Sequence, residues 1–154
     1  MTREAAAPSS RTRVVLDTNV SLDLLLFDDP STRTLRAALD DGQLDWIATE
    51  AMGAEFARVL GYPAIARQCL TRGRSAQALQ AAWFATVRIV PEPGATAVRC
   101  SDPDDQGFID LALRHGALLL SRDRAVLQLA HRLASSGVTV RSAFDASVPD
   151  GAQD

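Results

Sequence analysis

SDPDDQGFIDLALRHGALLLSRD, residues Ser101 to Asp123, decides the fold, because it joins two acidic sites through one helix and one strand. Asp102 ahead of Pro103 marks a helix start: the carboxylate can accept from the free N–H groups of the first turn, and proline is tolerated at the first helical position, where no donor is needed. Asp104 and Asp105 fall in that first turn. Asp105, Phe108, Ile109, Ala112 and Leu113 recur at helical spacing, so the apolar stripe that must meet a core has a carboxylate at its head. Asp110 falls on the opposite face, which this periodicity assigns to solvent. His115-Gly116 closes the helix, and Ala117 to Ser121 is a short apolar run that predicts a buried strand ending at Asp123. Taken singly, these acids have structural explanations in the helix dipole and in ordinary loop chemistry. What matters is whether other segments aim acids at the same place.

Working outward, residues 1–12 lack periodicity and are expected to form a disordered tail, and the polar residues 147–154 a frayed one, which leaves 13–146 as one domain. Val14-Val15-Leu16 is a strand, Asp17-Thr18-Asn19 ends it, and Val20 to Phe27 resumes as a helix. Asp28-Asp29-Pro30 breaks that helix, and Ser31 caps a second with Leu35, Ala38 and Leu39 inward. Leu44 to Ala48 is the second strand. Thr49 caps a helix over Glu50 to Leu60, two Ala-rich helices follow near Pro63 to Leu70 and Ser75 to Thr86, and Val87 to Val90 is a third strand. After Asp123, Ala125 to Leu133 reads as one amphipathic helix, and Val138 to Val140 as the last strand. Strands alternating with helices imply a mostly parallel sheet of about five strands with helices on both faces. Ligands in such sheets bind beyond the carboxyl ends of the strands, where Asp17 and Asp123 both stand.

Glu55 shares a helix face with Met52 and Val59, and a carboxylate there is costly unless paired or bound to a cation. Two readings stay open: an acid aimed at a cation, or a residue at the stripe's edge that reaches solvent or Arg58.

The 154 residues suit a single core, and 47% hydrophobic with 23% charged residues is ordinary for a soluble globular chain. No apolar run approaches a membrane span and the first residues lack a signal-peptide core, so a cytoplasmic protein is expected. Cys69 and Cys100 have no metal-ligand or disulfide-framework spacing and are expected to be reduced thiols. All 16 basic residues are arginine, which excludes chemistry that needs a lysine. A net charge of −3 argues against indiscriminate coating of nucleic acid, although a local arginine surface can still meet phosphate.

Four acids without a lysine, and without a Ser or Cys that has an identifiable base, do not make a covalent nucleophile. At close range their repulsion would raise some of their pKa values. A hard divalent cation resolves the conflict: oxygen ligands select Mg²⁺ or Mn²⁺, which retain waters and bind substrate phosphate. Such an ion can lower the pKa of a bound water, and a second about 3.5 to 4 Å away can stabilise a leaving oxygen. Phosphodiester or phosphate hydrolysis is the implied reaction.

VVLDTN at Val14 to Asn19, the helix carrying Glu55 with the Gly61-Tyr62-Pro63 that follows it, DPDDQGFIDLALRHGA from Asp102 to Ala117, and LLSRD ending at Asp123 together resemble PIN-domain proteins, above all the toxin components of bacterial toxin–antitoxin systems. The resemblance covers about Arg13 to Asp145. It implies a three-layer α/β/α sandwich and a metal-dependent ribonuclease whose catalytic acids correspond to Asp17, Glu55, Asp105 and Asp123. Asp17, Asp105 and Asp123 would bind Mg²⁺ or Mn²⁺. Asn19, Asp104 and Ser121 would support the site, with Asp102 assigned to the helix cap. It further implies an RNA substrate, a small antitoxin partner and pairing into a homodimer; the helices between Pro63 and Thr86, with Trp83 and Phe84, offer an apolar surface to a second copy or an antitoxin, the alternative being that these aromatics belong to the core. Related domains also process ribosomal RNA, and a PIN-like protein that only binds a partner is a separate class. Haloacid-dehalogenase-like phosphatases and response-regulator receivers fit less well: the former require a second Asp where Asn19 stands, and both normally use a lysine.

Overall fold

Val14, Val15 and Leu16 are buried on both sides, which is what a β-branched run at the centre of a parallel sheet requires. The computed structural model describes residues 11–145. Five strands, β1 (Thr12–Leu16), β2 (Leu44–Ala48), β3 (Arg88–Ile89), β4 (Leu118–Leu120) and β5 (Val140–Arg141), lie in the order β3-β2-β1-β4-β5 with every pairing parallel. In register, Val14 stands between Trp46 and Leu118. The chain builds outward from β1 to β2 and β3, then crosses back to place β4 on the other side of β1. The carboxyl ends of β1 and β4 therefore flank the point where strand order reverses, the usual crevice for a ligand in such sheets.

Side chains alternate along each strand and so build two cores. Val14, Leu16, Trp46, Ala48, Leu118 and Leu120 face one layer, formed by α1 (Thr18–Leu25), α2 (Arg33–Asp40), α3 (Glu50–Leu60), α4 (Pro63–Arg72) and α5 (Ala76–Thr86). Val15, Ile47 and Leu119 face the other, formed by α6 (Gln106–His115), α7 (Arg124–Leu127) and α8 (Ala130–Ala134). This is the three-layer α/β/α sandwich that the resemblance implies. The short edge strand β3 is held laterally by a forked ion pair: Arg88 donates from Nη2 at 2.6 Å and from Nε at 3.0 Å to Asp45 Oδ2 on β2.

Several boundaries differ from the sequence reading. β1 begins at Thr12, inside the segment expected to be a tail; the rest of that tail through Ser10 and the expected frayed end at 147–154 lie outside the described residues. Asp29, not Ser31, caps the turn before α2: its carboxylate accepts from the Ser31 N–H at 2.8 Å, which starts a 3₁₀ turn over Pro30–Thr32. The expected helix over Ala125 to Leu133 is two short helices, because the Leu129 N–H turns to the Val126 carbonyl three residues back rather than four. The Ser101–Asp123 helix also starts late: Pro103–Asp105 is a 3₁₀ turn and α6 proper begins at Gln106.

Trp83 is 3% exposed and packs edge-on against Trp46 and face-on against Phe56, so it belongs to the core, whereas Phe84 remains half-exposed. Gly53 makes this packing possible. A Cβ there would lie 2.9 Å from the Trp83 ring and 3.0 Å from Phe84. Phe84 can yield, but the Trp83 ring is fixed between two aromatic neighbours. Gly53→Ala therefore sets a helix-propensity gain of about 1 kcal/mol against overpacking of about 1–3 kcal/mol. We expect a net loss, read as a lower urea midpoint at unchanged m-value, whereas a rise would show that α5 moves freely away from α3.

Candidate metal centre

Asp17 ends β1 and starts α1. Its Oδ1 accepts from the Val20 N–H at 2.9 Å, which caps the helix, and its Oδ2 accepts from the Ser121 hydroxyl at 2.5 Å. The Ser121 oxygen also accepts from the Asp123 N–H at 3.0 Å. A fully buried hydroxyl thus links the acid after β1 to the acid after β4 and fixes their spacing. Arg122, between them in sequence, turns outward to Asp23 on α1 and to Ser31 Oγ at 2.9 Å, tying this segment to the α1 side of the fold.

Asp105 enters from the third direction as the last residue of the Pro103–Asp105 turn, buried, with Oδ2 accepting no hydrogen bond. One oxygen each of Asp102, Asp105 and Asp123 lies within 4.8 Å of the others. Burial, first, and then the Asp123 carboxylate beside it push the Asp105 carboxyl up to about 7, with Asp102 and Asp17 adding repulsion. Asp17 is also raised, mainly by burial and further by Asp123, against the hydrogen bonds from Ser121 and Val20. Three convergent carboxylates, an unsatisfied buried carboxylate oxygen and raised pKa values are what an all-oxygen site for a hard cation would show before loading, so the residues fit Mg²⁺ or Mn²⁺.

The expected site residues divide accordingly. Asp105 and Asp123 sit within the cluster, and Asp17 is beside it, close enough for mutual repulsion. Ser121 lies between Asp17 and Asp123. Asn19 is exposed and lines, with Asp17, Asp105 and Glu55, a cavity of about 250 Å³. Glu55 stays at the rim of that cavity, outside the cluster, where Oε1 pairs with Arg58 one helical turn on; of its two readings, this is the stripe-edge one. Asp104 is exposed and also outside the cluster. Asp102, assigned to the cap alone, does both: its Oδ1 accepts from the Asp104 N–H at 3.0 Å, and it joins Asp105 and Asp123.

Asp110 requires a correction. It is not on a solvated face. Its Oδ1 accepts from Thr96 Oγ1 at 2.7 Å and from Gln106 Nε2 at 2.9 Å, and Arg99 lies 4.0 Å away. Gln106 continues the clamp, accepting from the Cys100 N–H at 2.7 Å and donating to the Val98 carbonyl at 2.8 Å. The connection from β3 therefore crosses this face of α6 and covers it, and Asp110 helps to hold the segment that leads into Asp102. Cys69 and Cys100 are free thiols. Among the described residues no helix is long and apolar enough to cross a membrane.

A family model described as the PIN domain matches residues 13–125. No curated protein matches the chain. PIN domains are generally nucleases, and the three-carboxylate cluster is compatible with a metal ion.

The raised pKa of Asp105 makes stability depend on pH in an unusual direction. Between the ordinary value of 3.8 and about 7 the folded, metal-free chain keeps a proton that the unfolded chain has released. Its stability should therefore fall as pH rises through that window and level off above it. Chemical denaturation of the metal-free protein between about pH 5 and pH 8 checks this. Asp105→Asn should remove most of the slope, and an unchanged slope would place the titrating group elsewhere.

Proposed function

Because this chain belongs to the PIN domain family, we propose that it is a divalent-metal-dependent endoribonuclease that hydrolyses phosphodiester bonds in single-stranded RNA, and that it acts as the toxin of a type II toxin–antitoxin pair. The observation that carries the nuclease reading is the gathering of Asp102, Asp105 and Asp123 within 4.8 Å around a buried oxygen that accepts no hydrogen bond. Asp105 and Asp123, with Asp102 and the adjoining Asp17, would hold Mg²⁺ or Mn²⁺. A cation bound there supplies a water of lowered pKa and offsets charge on the phosphoryl oxygens.

The chain's own residues do the rest. Ser121 donates to the Asp17 carboxylate and accepts from the Asp123 backbone N–H, which ties the Asp17 side chain to the segment that carries Asp123, while the Asp123 carboxylate accepts from the Ala125 N–H at 2.8 Å. Glu55 lines the same cavity as Asp17 and Asp105, which supports a part for it as a proton acceptor once its pairing with Arg58 is released. Asn19 offers a donor and an acceptor on the cavity wall. A cation held there would favour the ionised form of Asp105, whose carboxyl is otherwise pushed up to about 7. For partners, the exposed Leu70 on α4 and half-exposed Phe84 on α5 support a contact with a second copy or with a small antitoxin.

Purified protein should cleave single-stranded RNA with Mg²⁺ or Mn²⁺ and stop when EDTA is added. The products should carry a 5′-phosphate and a 3′-hydroxyl, because water attacks phosphorus in place of the RNA's own 2′-hydroxyl. Asp17→Asn keeps the oxygen that caps α1 but removes a charge, so activity should drop by about a hundredfold or more. The fold should be kept or slightly stabilised as repulsion is relieved. Asp41→Asn is the control, since Asp41 follows α2 just before β2, at the amino end of the strands and away from the site. Equal loss in both variants, or cleavage that persists in EDTA, would show that the acids are misassigned.

A further inference from the structure

The cavity lined by Asp17, Glu55 and Asp105 has an apolar end as well. Leu22, Val59, Ile65 and Phe108 form an apolar wall, and Tyr62 stands on it with 47% of its surface exposed. A cation and a phosphate need oxygen ligands and water, so neither uses such a wall. The backbone that carries the exposed ring is held in place. Tyr62 links α3 to α4 with extended backbone angles, its N–H donates to the Val59 carbonyl at 3.0 Å, its own carbonyl accepts from the Ala66 N–H at 2.8 Å, and Pro63 follows directly. An aromatic side chain presented from so fixed a backbone loses little entropy when a flat ligand covers it.

Resting on the nuclease reading, we propose that this end of the cavity is a nucleobase subsite, in which Tyr62 stacks on a base next to the phosphate held at the carboxylates. Three features select a base over other occupants. The wall and the acids line one cavity of about 250 Å³, so whatever touches the apolar end lies within reach of the phosphate end. A base offers two apolar faces for the wall and ring, and stacking on aromatic side chains is tolerant of sequence because every base has such a face. Asn19, exposed on the same cavity, can donate to and accept from a base edge or a ribose hydroxyl. Duplex RNA hides its base faces, so the subsite also restricts the substrate to single strands.

The test compares wild type, Tyr62→Ala and Tyr62→Phe on a short single-stranded RNA and on the same strand with abasic positions flanking the cut. Cleavage is followed in Mn²⁺, and binding is followed by fluorescence anisotropy of the labelled strand. Tyr62→Ala should raise KM and the dissociation constant for the normal strand about tenfold with kcat nearly unchanged. Tyr62→Phe should stay near wild type, and the abasic strand should bind weakly to all three proteins alike. Undiminished RNA binding by Tyr62→Ala would assign the exposed ring to a protein partner or to no ligand, and would overturn the subsite while leaving the nuclease reading intact. An equal loss on the abasic strand would overturn it too, by showing a change in the site rather than lost stacking. Wild type that neither binds nor cleaves the strand would remove both readings together.

Discussion

Repulsion among carboxylates forced together away from water is the constraint on which the rest of this structure depends. Asp105 is buried, has an oxygen that accepts no hydrogen bond, and sits against Asp123 and Asp102 with Asp17 close behind. A fold selected for stability alone has no reason to assemble this, since an unpaired buried carboxylate costs several kcal/mol unless it stays protonated or meets a cation. Arg99 and Arg122 pair elsewhere. Arg122 is turned to Asp23, and Arg99 to the Thr96 carbonyl and Asp110. Each of these two arginines is thus engaged with a carboxylate outside the cluster.

Rigid elements hold these acids at close range. Asp17 follows the central strand and Asp123 the strand beside it, with their backbones tied where the Asp17 N–H donates to the Leu120 carbonyl at 3.1 Å. Ser121 then ties the Asp17 carboxylate to the Asp123 backbone N–H. Asp102 and Asp105 arrive by a long connection from the far edge of the sheet, and that segment is fastened to α6 by Gln106 and Asp110. The site therefore depends on two supports that touch no ligand: a buried hydroxyl between strands and an amide–carboxylate clamp on a helix.

Much of this was legible in the residues. Val14-Val15-Leu16 running into Asp17, and Leu118-Leu119-Leu120 running toward Asp123, announce strands that end in acids because apolar continuity and its abrupt stop are local properties. Asp105 was visible as a carboxylate at the head of an apolar stripe. Asp102 was legible as a cap, which it is, but not as a member of the cluster: a helix cap uses one carboxylate oxygen, and periodicity says nothing about where the other points. Asp110 was misjudged because helical phase locates the side opposite the core stripe without revealing that residues from another part of the chain cover it. Glu55 was undecidable from spacing, since the stripe's edge and the cavity's rim are the same place. Contacts with residues distant in sequence, Asp123 for Asp102 and Thr96 for Asp110, set the first two outcomes, and local pattern carries no information about them, whereas Glu55 pairs with Arg58 on its own helix.

The most direct measurement of the central claim is calorimetric titration of Mn²⁺ into the metal-free protein in two buffers of different ionisation enthalpy, repeated from about pH 6 to pH 8. If the buried cluster shares a proton that a cation displaces, binding at the lower pH should release about one proton, and the release should fade as pH rises past about 7. Asp105→Asn should abolish that release and weaken binding. Absence of Mn²⁺ binding, or binding whose proton release is the same at every pH and in the variant, would contradict the assignment of these carboxylates to a cation.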